Sequence, residues 1–338
     1  MSRANNRIAF RLFAASAVCA GVFLCGLATA RAQFEEAPTT GGPKLDKTVV
    51  QRIKIGVTVT AVGGPCKSIV ASAVVPMDWP EQKVRIDKED VSSGVNKIEY
   101  RNIGGGARQM IITIPNLANG QKATAFVTFE VTRRALLPPD DPTKYKIPTG
   151  DQTKLLGNYL APSPFIESRN SKIIKLAKEV TEGKEDWAKI EAIYKVVHEK
   201  LTYKEGLQQK GAVKALADGD GHCEEFSDLF IALCRAVAIP ARTVWVPGHC
   251  YSEFYMVDDA GKGYWFPCQS AGDASATAGD KIGGIPDTRP ILQKGDNFKD
   301  PDRPKDRLHY LSDFLKGAFG AKGSGKPTVQ WCRETLKD

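Results

Sequence analysis

GDGHCEEFSDLFIALCRAVAIPARTVWVPGHCYSEFYMVDDAGKGYWFPCQ, residues 219–269, holds most of the legible chemistry of this 338-residue chain. Phe226, Leu229, Phe230, Leu233 and Val237 recur at three- and four-residue spacing, the stripe of a helix with one buried face. Pro240 stops that helix, because its ring fixes φ and removes a backbone donor. Thr243–Pro247 then reads as a strand, His249–Val257 as a second and Tyr264–Cys268 as a third, with a turn at 258–262 between the last two. Upstream, helical periodicity begins at Ser171, and Trp187, Ile190, Tyr194, Val197 and Leu201 make a second strong apolar stripe. Helices followed by antiparallel strands predict an α+β domain.

Asp220-Gly221 marks the helix start and puts Cys223 in its first turn. A thiolate there faces unpaired backbone N–H groups and the positive end of the helix dipole, both of which lower its pKa. Glu224 and Glu225 oppose this where they lie close, and their net effect stays open. Cys234, eleven residues on, falls in the apolar stripe about 16 Å further along and reads as a small core residue. The thiol needs a base, and His249 opens the next strand but one. Alternation sets His249, Tyr251 and Glu253 on one face and Cys250 on the other. His198 lies beside the stripe of its helix and reads as structural.

GHCEEFSDLFIALCRAVAIPARTV resembles the nucleophile motif of the transglutaminase-like superfamily: Gly-x-Cys on a helix, an apolar stripe, Ile-Pro-Ala-Arg, then a strand. HCYSEFYM resembles the second motif of that family, with His249, Tyr251 and Glu253 in its places. YLAPSPFIESRNSKIIKLAKEV and the helix ending in Leu201-Thr-Tyr203 fit the approach. The resemblance, over about 161–270, implies a papain/transglutaminase-like core with Cys223 as nucleophile, His249 as base and no cofactor. It also implies a peptide or protein substrate, an envelope peptide included. The family places an Asp after a Trp to orient the His; here YWFPCQ puts Gln269 at that position, with Asp273 as a fallback. An amide can fix the tautomer but supports an imidazolium less well than a carboxylate. The Cys223 backbone N–H is the natural first oxyanion donor. Gln269 opposite His249 would set Cys250 opposite Cys268, making those two neighbours and candidates for a disulfide.

Outward from this core, the N-terminus carries Arg3, Arg7 and Arg11, an apolar stretch Leu12–Ala30, and small residues at Ala30-Arg31-Ala32. That is the pattern of a signal peptide over 1–32, so export to the periplasm or beyond is expected. Its loss removes four arginines and takes the formal charge from +8 to +4, which gives no argument for nucleic acid. Six cysteines remain without a CxxC pair, so neither a zinc ribbon nor a thioredoxin-type site is supported. Residues 33–46 read as a linker, and 47–135 as an all-β sandwich of about seven strands, from alternations such as Ile53, Ile55, Val57, Val59. Gly104-Gly105-Gly106 reads as a loop. Residues 136–160 form a second linker, 161–316 the catalytic domain, and 317–338 a C-terminal tail in which Trp331 and Cys332 could dock as a short strand. RPILQKGDNF, within the least readable region, has an apolar centre suited to covering part of the cleft.

Two other functions fit less of the pattern. A binding or scaffold module would keep the fold with weak chemistry, a reading that Gln269 motivates. A metal site from His222, Cys223, His249, Cys250 and Cys268 conflicts with alternation, which sends His249 and Cys250 to opposite faces.

Overall fold

The computed structural model describes residues 41–206, 208–271, 281–319 and 324–336. The signal region 1–32 and Asp273 lie outside them. In chain order the strands and helices are β1 (Lys44–Val62), β2 (Cys66–Val75), β3 (Gln82–Val91), β4 (Lys97–Ile103), β5 (Ala107–Leu117), β6 (Lys122–Leu137), α1 (Asp151–Lys154), α2 (Ser171–Thr181), α3 (Asp186–Lys200), β7 (Thr202–Tyr203), α4 (Gly211–Asp218), β8 (Asp220–Gly221), α5 (Cys223–Ala236), β9 (Ala241–Val246), β10 (His249–Val257), β11 (Gly263–Cys268), β12 (Gln293–Lys294), β13 (Phe314–Ala318) and β14 (Lys326–Leu336). The architecture is α+β, with mostly antiparallel sheets and a β-rich region ahead of the helical core.

Alternation in β1 buries Ile53, Ile55, Val57 and Val59 completely, and β5 and β6 answer with Met110, Ile112, Ala125 and Val127. These inner faces make the sandwich core. One sheet runs β14-β1-β6-β3. The other runs β11-β10-β9-β12-β5-β2-β13, with β4 on β5. The second sheet therefore passes without a break from the strands around His249 into the sandwich. The joint is β12, where Gln293 pairs with Trp245 of β9 on one side and Ala107 of β5 on the other.

This corrects several boundaries. Residues 47–135 contribute six strands, rather than seven, and β13 and β14 complete the two sheets from the far end of the chain. The expected tail 317–338 contains β14, which pairs with β1 from Arg52↔Leu336 to Val62↔Lys326. It is an edge strand, half exposed, so its sequence lacks the strong alternation of the inner strands. The expected linker 33–46 ends inside β1. In the expected linker 136–160, Tyr145 is buried against Phe266 at 4.7 Å, and Lys146 bridges to Val257. The 290–294 segment is the sheet joint rather than a cover for the cleft, with Ile291 and Leu292 buried.

The helical half packs on β9–β11. Asn170 caps α2 by accepting from Lys172 N at 2.9 Å. In α3, Trp187, Ile190, Tyr194 and Val197 are buried, and α5 buries Phe226, Leu229, Phe230 and Leu233 against Phe254, Met256 and Phe266 of the sheet. A buried ionic chain ties the joint together. Lys294 Nζ donates to Glu81 Oε1 at 2.6 Å and to Glu253 Oε1 at 2.5 Å, while Arg242 Nε donates to Glu253 Oε2 at 2.7 Å.

Candidate active site

Cys223 is the first residue of α5, and the N-terminus of that helix is built by its neighbours. His222 is the N-cap, its Nδ1 accepting from Glu224 N at 3.2 Å, while Glu225 Oε2 reaches back to His222 N at 3.0 Å. Glu225 also accepts from Lys210 N at 2.9 Å. It is folded under the turn so closely that a Cβ at Gly221 would sit 2.4 Å from its own Cβ. This is the physical reason for glycine two positions before the cysteine. With Glu225 committed to the cap, only Glu224 of the acidic pair lines the space in front of Cys223.

Gly248, at φ +69°, makes the turn from β9 into β10 and brings His249 to the front edge of the sheet. The groups that act on the Cys223 thiol are the Cys250 thiol and backbone N–H and the His249 ring, which lines the same cleft. These hold its thiol down at about 3, the Cys250 thiol contributing most, against burial, which pushes the other way. His222 Nδ1 lies 3.8 Å from the sulfur on the other side. Burial lowers the pKa of His222, but the negative charges of Glu225 and Cys223 outweigh it and leave the group above its ordinary value. The thiol of Cys250 is pushed well up, by burial first and then by Cys223.

The Gln269 amide meets His249 Nε2, its oxygen at 3.2 Å and its nitrogen at 3.0 Å. The three expected site residues thus come together, but by a different register. Ser252 pairs with Cys268 and Glu253 with Pro267, a slip of two from the expected alignment. A slip of two keeps every side chain on its face, so Gln269 still reaches His249 diagonally. It also separates Cys250 from Cys268, and the expected pairing of those two does not form. Both are free thiols; Cys268 lies in the helical core and Cys250 against Ser227.

Alternation does send Cys250 to the face opposite His249. That face is the one α5 covers, where the Cys250 thiol lies 3.9 Å from Ser227 Oγ, while His249 lines the cleft together with Cys223. The sequence signal was present in Cys250, Ser252, Phe254 and Met256, which are all buried. Tyr251 and Glu253 are not at the thiol: Tyr251 Oη accepts from Arg133 Nη2 at 3.3 Å, and Glu253 belongs to the ionic chain. Cys234 is fully buried with its thiol pushed well up by burial, and His198 packs at a tilt between Tyr194 and Phe226.

Sequence reading missed the pair behind α5. His309 Nε2 lies 3.2 Å from Asp228 Oδ1, both buried. Burial pushes Asp228 up to about 6 against the pull of His309, and Asp228 raises His309 in turn. His309 packs edge-on to Trp245 at 5.2 Å, fixing one wall of the cleft. The cleft in front of Cys223 holds about 520 Å³ and is lined by Tyr203, Glu205, His222, Glu224, Trp245, His249 and Tyr310 among others.

Residues 174–270, from α2 to just past β11, match the model of the transglutaminase-like superfamily core. A crystal structure of a protein from Cytophaga hutchinsonii, described as a putative cysteine protease, superposes with a TM-score of 0.55 at 19% identity. It covers 88% of this chain and 93% of that one, so the shared fold includes the sandwich as well as the core. A protein from Parabacteroides distasonis, described as a putative protease, aligns at a TM-score of 0.26 and 13% identity over 65% of this chain and 43% of its own. No curated protein matches the chain.

Proposed function

We propose that the protein is an exported thiol enzyme that opens an amide through a Cys223 thioester and passes the acyl group to water or an amine. The observation that carries this is the Cys223 sulfur at a helix N-terminus, on the wall of the same cleft as His249, with its thiol held far below its ordinary range. Its substrate is a peptide bond, a protein glutamine side chain or a cell-wall peptide.

In this reading the Gln269 amide turns its Oε1 to a His249 Nε2–H, which leaves Nδ1 as the atom that exchanges a proton with the thiol. The thiolate attacks the amide carbon, and the imidazolium returns its proton to the leaving nitrogen. The Cys223 backbone N–H, unpaired in the first helical turn, faces the oxygen where charge develops. The same imidazole then takes a proton from the incoming water or amine as the thioester breaks. Gln269 holds the ring without charge, so the thiolate itself is the main counter-charge of the imidazolium. The basic, apolar and small-residue order of residues 1–32 supports export.

The test is alkylation of Cys223 across pH 4–9, followed by mass mapping, in wild type and His249→Ala. Fast labelling below pH 7 that slows in His249→Ala, together with an acyl-enzyme mass on Cys223 after incubation with peptide amides, is the expected result. Labelling at the rate and pH midpoint of a free thiol, about 8.5, with no covalent adduct, would refute the reading. N-terminal sequencing of envelope-fraction protein should begin at Gln33; a start at Met1 would refute cleavage.

A further inference from the structure

The acids around the thiol are nearly all spoken for. Glu225 caps α5, Asp228 pairs with His309, and Asp220 pairs with Lys204 and Lys210. Glu224 is different. It is half-buried on the wall of the cleft, next in sequence to Cys223, and its carboxylate has no hydrogen bond or ion pair among the described residues. A desolvated carboxylate without a partner is costly. The charged and ionisable groups that face it are Cys223 and Asp228, which oppose its ionisation, and His222 and His309, which favour it. Burial, and then Asp228, push its pKa up to about 7.

The rest of the wall suits a cation. Tyr203, Trp245 and Tyr310 line the cleft, with Trp245 and Tyr310 4.9 Å apart in an edge-to-face pair. Ring faces attract ammonium and guanidinium groups. Glu205 adds a second carboxylate at the rim, and no Lys or Arg is among the described residues lining the cleft.

We propose that Glu224 is a specificity-determining residue that receives a positively charged group of the substrate, a Lys or Arg side chain or a free α-amine, beside the bond that Cys223 attacks. This deepens the thiol-enzyme reading and names its substrate class. The substrate cation completes the ion pair that the fold leaves open.

The test uses Cys223 itself as the reporter, so that it does not depend on acyl transfer. Full-length protein at pH 8, where Glu224 is charged, is treated with cationic 2-aminoethyl methanethiosulfonate and with neutral methyl methanethiosulfonate. Disulfide formation on Cys223 is followed by mass. In each reaction the thiolate sulfur bonds to the reagent's thio group and methanesulfinate leaves. The cationic-to-neutral rate ratio in wild type should exceed that in Glu224→Gln by roughly tenfold, with the neutral rate changed little. An equal ratio in the two proteins overturns the proposal, even where peptide turnover is found. A second arm compares binding of N-acetylated peptide amides carrying Lys or norleucine, and of free-amine peptides, to Cys223→Ala protein. Tighter binding of Lys peptides assigns the side chain and of free-amine peptides the α-amine; the absence of any cation preference overturns the proposal.

Discussion

Replacing Lys294 with Met tests the joint between the sandwich and the core. Lys294 is 2% exposed and sits between Glu81, 4% exposed, and Glu253, 1% exposed. Burial alone would raise the Glu81 pKa, but Lys294 and then Arg133 hold it at about 2, against an ordinary 4.5. That depression corresponds to roughly 3 kcal/mol of stability, at about 1.4 kcal/mol per unit. The contribution is fully present above pH 4.5 and is lost as the pH falls toward 2. In Lys294→Met, Glu253 keeps Arg242, whereas Glu81 loses its direct partner. Breaking a buried pair from one side costs about 3–5 kcal/mol. In a protein of this size that lowers Tm by roughly 10 °C near pH 7. The gap between wild type and variant should narrow as the pH falls to 4, because the stranded carboxyl protonates while the native pair weakens. Thermal unfolding followed by circular dichroism at several pH values measures both. A Tm within 2 °C of wild type at pH 7, or a gap that widens in acid, would show that the chain of ion pairs contributes no net stability.

Cys250→Ala removes the largest influence on the Cys223 thiolate, so the pH midpoint of its alkylation should rise by about one unit or more; an unchanged midpoint would mean that His249 and the helix suffice. Gln269→Ala should lower kcat about ten- to hundredfold with little change in KM, and Gln269→Glu should retain more activity than the alanine variant, measured on whichever peptide amide forms the acyl-enzyme. Equal loss in both would mean that Gln269 only packs. His222→Ala removes the N-cap of α5 and should destabilise the protein by about 1 kcal/mol in urea unfolding; a neutral result would show that Glu225 alone carries the cap.

The core was readable because local pattern and local chemistry coincide there. Helix α5 needs an apolar stripe and a small residue before its first turn, and both are written between Gly221 and Pro240. The face of β10 that carries His249 follows from alternation alone. The register did not follow, because a slip of two between β10 and β11 preserves every face and so leaves no trace in hydrophobic pattern. Glu81, Lys294, Asp228 and His309 were invisible for another reason. Each lies far along the chain from its partner, and a single charged residue carries no signal of the burial that gives it meaning. In the edge strand β14 only Trp331 and Cys332 stood out as a short docking strand, because the rest of it is half exposed and mostly polar. Gln269 was found only through resemblance, and its contact with His249 holds in a register that the resemblance did not specify.

The pairing of β1 with β14 links Arg52 to Leu336, and β2 with β13 links Ser72 to Phe314. Both sandwich sheets are therefore finished by segments far along the chain from the strands they cover. Such long loops must close before their contacts return any free energy, which slows folding. During synthesis, the sandwich strands emerge long before their edges can be covered, and an uncovered edge invites pairing with another chain. A chain cut before Lys326 should leave the outer edge of β1 uncovered from Arg52 to Val62 and aggregate while its Cys223 region is still intact. Closure of this sheet thus waits on an eleven-residue strand translated well after the strand it covers.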